Sequence, residues 1–202
     1  MILGEENTIF IHIPKNAGTS IETFFLNSNF NIQPEKHTTI HEIKRKFPEI
    51  YNSYRKFTII RNPYDRIISW YFYLKENAEN LMGSDIPTLM SEPSLSSSAI
   101  KPITMIDVEF IEWIKKPFKF WPQPPFSHYL DPQHIWLDKT VMILKYENLK
   151  KELNEFFEKE INLPITNKTK HDHYSNYYNR ESLDIINDRY KEDFEKYNYK
   201  KL

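Results

Sequence analysis

Residues Thr8 to Ile13 alternate and are β-branched, the pattern of a buried strand, and Pro14 ends them because proline cannot donate to a ladder. A short polar turn then gives way to Ser20-Ile21-Glu22-Thr23-Phe24-Phe25-Leu26, whose apolar residues fall at helical spacing. The same grammar returns at Phe57-Thr58-Ile59-Ile60, a strand stopped by Arg61-Asn62-Pro63. Behind it Tyr64, Ile67, Ile68, Tyr71 and Leu74 mark one face of a helix. A third round runs from the apolar strand Val141 to Leu144 into a helix lined by Leu149, Leu153, Phe156 and Phe157. Strands that each feed a helix predict an α/β fold, with a mainly parallel sheet flanked by helices.

The remaining sequence bounds that fold. A chain of 202 residues with 40% apolar residues is one ordinary packed domain spanning residues 1–202. A net charge of -1 excludes the global basic field that draws proteins onto nucleic acid, so any anion site is local. The absence of cysteine excludes disulfides, thiolate metal sites and cysteine nucleophiles. The opening MILGEENTIF lacks the basic-then-apolar pattern of a signal peptide, and no apolar run approaches the roughly 18 residues of a membrane span. A soluble protein is the expectation. Met82 to Pro102 is rich in Ser and Pro and aperiodic, which predicts a mobile surface loop over 80–103 serving as lid or substrate-facing insertion. Thr104 and Asp107 resemble a helix N-cap pair ahead of Phe110, Ile111 and Ile114. WPQPPFSHYLDP is too proline-rich for regular structure. Arg180 to Tyr199 reads as one charged amphipathic helix with Leu183, Ile186, Tyr190 and Phe194 inward.

Two places carry chemistry. After Pro14, Lys15 supplies a mobile charge, Gly18 is expected to supply backbone geometry closed to other residues, and Thr19 and Ser20 put hydroxyls at a helix start. Free N–H groups at such a terminus hold anions, although an ordinary capped strand–turn–helix junction would look similar. In the common loop of ATPases the lysine follows the second glycine; here it precedes the only one, and no strand ends in an Asp placed for magnesium. Arg61 stands where the second strand leaves the sheet, the position at which open α/β folds collect ligands, and Ser69 lies two turns along the following helix. An arginine fork plus a hydroxyl grips a phosphate dianion. The bland alternative has Arg61 capping a turn, with Asp65 and Arg66 as surface charges.

Taken together, HIPKNAGTS after one strand and RNPYDRIISWYFYL after another resemble the paired signatures of sulfotransferases that use 3′-phosphoadenosine 5′-phosphosulfate (PAPS). The resemblance is greatest to the carbohydrate branch containing the heparan sulfate 2-O-sulfotransferases and small bacterial members. Weaker similarity continues through WPQPPFSHYL, VMILKYENL, LPITNKTKH and RYKEDFEKYNY. The resemblance implies a P-loop-like sulfotransferase fold. It implies that Lys15, Asn16, Ala17, Gly18, Thr19 and Ser20 hold the 5′-phosphosulfate, and that Arg61 and Ser69 hold the 3′-phosphate. Lys168, in Asn167-Lys168-Thr169-Lys170, resembles part of a later loop that closes over the phosphates. Lys15 then acts in catalysis on the leaving phosphate, adenosine 3′,5′-bisphosphate (PAP) is the product, and no metal is expected.

Among the seven histidines, His37 in EKHTTIHEI matches the family's position for the base, with His41 its nearest competitor. His12 reads as a structural side chain beneath the first loop, and His171 and His173 lie in a polar stretch. His37 and His41 could share a helical face, but they lack the Glu that a zinc-protease motif sets beside its first histidine. The acceptor implied by resemblance is a saccharide, glycolipid or other hydroxyl compound. Trp121, Trp136 and HYSNYYNR could stack on sugar rings or belong to the core. Relatives acting in the secretory pathway carry a membrane anchor, so a cytoplasmic, microbial role is expected. The alternatives are a nucleotide or small-molecule kinase using ATP and magnesium, and a nucleotide-binding module without catalysis.

Overall fold

The computed structural model describes residues 1–25, 37–77, 108–116, 129–164 and 169–202, together with the backbone of 31–32. The expected loop at 80–103, the Thr104/Asp107 cap, Trp121, His128 and Lys168 lie outside the described residues.

Strands β1 (Ile2–Leu3), β2 (Thr8–Ile11), β3 (Asn31–Ile32), β4 (Arg55–Ile60) and β5 (Met142–Lys145) form one sheet in the order β3-β1-β2-β4-β5. The three strands read from the sequence run parallel, with Phe10 opposite Phe57 and Phe57 opposite Met142. β1 pairs antiparallel with both β2 and β3, so the sheet is mixed at this edge, with β1 alone running against the other four strands. The two added strands have two residues each, too short to show a period of two.

Alternation along β2 splits the core. Phe10 joins Phe57, Ile59 and Leu144 beneath helices α1 (Gly18–Phe25) and α6 (Leu149–Phe157), where Ile21, Leu153, Phe156 and Phe157 meet them. Ile9 and Ile11 point the other way, onto Ile40, Ile43, Tyr51 and Trp136. Helices α2 (Ile40–Lys46) and α3 (Pro48–Ser53) cover that face. Both faces are therefore buried, as a parallel α/β sheet requires. Thr39 starts α2 through a capping box with Glu42.

α4 (Pro63–Glu76) begins with Asn62 accepting a hydrogen bond from the Tyr64 amide and with proline in its first turn. The face read from the sequence, Tyr64, Ile67, Ile68, Tyr71 and Leu74, is buried against α5 (Phe110–Lys115) and the two C-terminal helices. Those are α7 (Arg180–Arg189) and α8 (Lys191–Lys196), separated at Tyr190. This corrects the single helix expected over Arg180–Tyr199. The break turns α8 so that Asp193, wholly buried, meets Gln133 and His134. Among the described residues no helix is long and apolar enough to cross a membrane.

Candidate active site

Parallel pairing sets the ends of β2 and β4 side by side, so the two candidate elements emerge together. Thr58 ties them at the last rung by donating to the Ile11 carbonyl at 2.8 Å.

The first loop is strained at two non-glycine residues, Lys15 with φ 68° and Ala17 with φ 59°. Gly18 does not take a left-handed conformation, which corrects the role expected of it. Its necessity is steric: a Cβ there would lie 1.9 Å from Cδ2 of His12. The His12 ring lies under the start of α1, as expected of a side chain beneath the loop, and its Nδ1 donates to Glu22 at 2.6 Å. The Asn16 side chain turns inward and is buried. Its amide donates to the Ile59 carbonyl and to Gln133, both at 2.7 Å, and its Oδ1 has no partner among the described residues. Ser20 is buried at the start of α1, and Thr19 beside it is partly exposed.

Arg61 reaches the same loop. One guanidinium nitrogen donates to the Lys15 carbonyl at 3.1 Å, Nε donates to Asp65 at 2.7 Å, and the group stacks over Tyr146 at 4.3 Å. Asp65 thus orients Arg61 and is not a solvated surface charge. Arg66 is 1% exposed, which overturns its reading as a surface residue. It donates to the carbonyls of Pro14, Asp131 and Tyr129 at 3.1, 2.8 and 2.8 Å. Ser69 is buried on α4, its hydroxyl 3.5 Å from that of Thr169. The amide of Lys170 donates to Glu76 at 2.9 Å, so the segment beginning at residue 169 crosses the same helix.

Nζ of Lys15 sits 4.0 Å above the Tyr73 ring and 5.9 Å from Trp70. Those two rings are themselves stacked. Burial, reinforced by the Arg61 charge and opposed by Glu76, lowers the Lys15 ammonium from its usual 10.5 to about 7.

His37 precedes α2 with φ 67°, and its Nδ1 is 3.0 Å from the His12 carbonyl. A carbonyl only accepts, so Nδ1 carries the hydrogen and the neutral ring's lone pair lies on Nε2. His12 at 4.4 Å and Tyr129 at 4.7 Å pack against the ring. His41 is one residue inside α2 and exposed, so the two histidines do not share a helical face. His171 stacks on Phe72, His173 is exposed, and His134 is bonded to Asp193.

Residues 1–134, which hold both loops, His37 and the first turns of this network, match the model of the sulfotransferase family. The chain belongs to the sulfotransferase family. No curated protein and no solved structure matches it. Of the residues that the geometry adds to this sulfotransferase's candidate site, Gln133 lies outside the quoted stretches, while Arg66, Tyr73, Thr169 and Asp193 lie within them but drew no binding role from the sequence. A signal existed for two of them. Trp70 and Tyr73 widen the apolar arc of α4 beyond one stripe, the mark of a helix buried nearly all round, and such a helix forces Arg66 and Tyr73 into contacts.

Proposed function

We propose that this sulfotransferase moves the sulfuryl group of PAPS to a hydroxyl of a saccharide or glycolipid by in-line transfer. The observation that carries the reading is the junction of the two loops: Arg61 holds the Lys15 carbonyl, so the cations for two anionic groups sit on one braced frame. The donor set suits the nucleotide. It combines a lysine, an arginine fork, hydroxyls on two helices and the first N–H groups of α1. The donor supplies an activated sulfuryl group on a phosphate leaving group.

Lys15 donates to the bridging oxygen as charge develops there. Arg61 and Ser69 hold the 3′-phosphate, and the hydroxyls of Thr19 and Ser20 with the start of α1 hold the 5′ end. Asn16 contributes through its main chain and by bracing the loop, and Ala17 and Gly18 through main-chain N–H groups. His37, its hydrogen held on Nδ1, takes the acceptor's proton on Nε2. Removing a preorganised donor of this kind costs roughly 10²–10³ in turnover.

Calorimetry tests the donor half. PAP binds without magnesium, and transfer of labelled sulfate from PAPS to a panel of saccharides is lost in Lys15→Met and His37→Ala. Folded protein that ignores PAP at millimolar concentration ends this reading, and magnesium-dependent ATP binding in its place favours a kinase.

A further inference from the structure

Gln133 sits outside every motif of the site and is wholly buried. Its side-chain oxygen accepts from the Asn16 amide at 2.7 Å and from the main-chain N–H of Arg61 at 3.0 Å. Its side-chain nitrogen donates to the Arg61 carbonyl at 2.9 Å and lies 3.4 Å from Asp193. One amide therefore clasps Arg61 at both main-chain groups, as a neighbouring strand would, and grips the Lys15–Ser20 loop through Asn16. Asp193 fixes the clasp in turn, accepting the main-chain N–H groups of Gln133 at 2.7 Å and His134 at 2.9 Å. A buried amide with its hydrogen-bonding positions occupied has one allowed orientation, so the spacing it imposes is rigid.

We infer that Gln133 is a positioning residue that sets the distance between the two phosphate-holding elements, and that Asp193 of α8 orients it. The inference rests on the proposed reading of Arg61 as the 3′-phosphate ligand. Gln133 touches no substrate in this scheme; it acts through Arg61 and Asn16. The consequence is specific. Loss of the clasp lets Arg61 drift relative to the first loop, so binding of the 3′-phosphate weakens while contacts to the 5′ end persist.

The test is the ratio of PAP affinity to adenosine 5′-monophosphate affinity, measured by calorimetry in the whole protein. In Gln133→Met the preference for PAP falls roughly 10- to 100-fold, the worth of a charge-assisted hydrogen bond lost from alignment. Asp193→Asn keeps the volume of α8's buried side chain and produces a smaller fall in the same ratio, which carries the test if Gln133→Met does not fold. The fall is absent when Arg61→Met is already present, because the residue acted through has gone. Equal weakening of both nucleotides, or an unchanged ratio, overturns the role of Gln133 and leaves the donor reading intact. Wild-type protein with no preference for PAP overturns both.

Discussion

Lys15 is the group whose charge state the fold controls most directly, and on the proposed reading its titration is coupled to donor binding. Burial and the Arg61 charge hold its pKa at about 7. At pH 8 such a lysine is about one-tenth protonated. A phosphate beside Nζ restores the ammonium, so binding of PAP at pH 8 takes up about 0.9 proton. The nucleotide's own phosphates lose their second proton near pH 6 and so stay dianionic from pH 7 upward. Apparent affinity therefore falls about 50-fold between pH 7 and pH 9, or about 2.3 kcal/mol.

The assay is calorimetry of PAP in buffers of different ionisation enthalpy, which reads the proton count directly. Lys15→Arg, charged throughout, takes up no proton and binds with flat pH dependence. Zero uptake at pH 8 with affinity constant to pH 9 in the wild type would refute the reasoning, since the lysine would then be charged before the nucleotide binds. The sign for stability follows from the same shift. The unfolded lysine keeps its proton up to about 10.5 and the folded one releases it above about 7. The unfolded state binds more protons in that window, so the protein gains stability from this group as pH rises through it. Lys15→Met removes that gain.

Other perturbations test the frame around the site. Gly18→Ala drives a methyl into the His12 imidazole and costs at least about 2 kcal/mol in urea unfolding. The same change in a His12→Ala background costs less than half as much, and full additivity would show that the ring is not the obstacle. Arg66→Met leaves the carbonyls of Pro14, Tyr129 and Asp131 without their buried donor, for a loss of about 3 kcal/mol; a loss under about 1 kcal/mol would mean that water replaces the guanidinium. Ala17→Gly relieves a left-handed residue and leaves stability unchanged or raises it by up to about 1 kcal/mol in the same measurement. A clear loss would assign the alanine methyl a packing role.

What the sequence made legible was local. β2, β4 and β5 show as apolar runs, Pro14 and Pro63 mark where chain direction changes, and Tyr64 to Leu74 display their buried stripe within three turns. Lys15, Arg61, Ser69 and His37 stood out because their residue types and spacing sit at strand exits or before a helix. Each of these signals is written in a dozen neighbouring residues, where steric preference and side-chain period act directly.

What tertiary structure decided was partnership across distance. Gly18 is required by a ring six positions back, which the strand's end brings beneath it, and not by its own backbone angle. Arg66 looked solvent-facing because nothing adjacent in sequence could satisfy it; its acceptors are carbonyls of Pro14, Tyr129 and Asp131, gathered only in the fold. The helix break at Tyr190 serves Asp193, whose partners lie about 60 residues earlier. Such positions carry no period, because burial of a polar group is set by whether its hydrogen-bond partners arrive, and they arrive from elsewhere in the chain. The sequence by itself determined which residues could grip two phosphates. On the proposed reading, only the packed sheet and α8, acting through Gln133, set how far apart they are held.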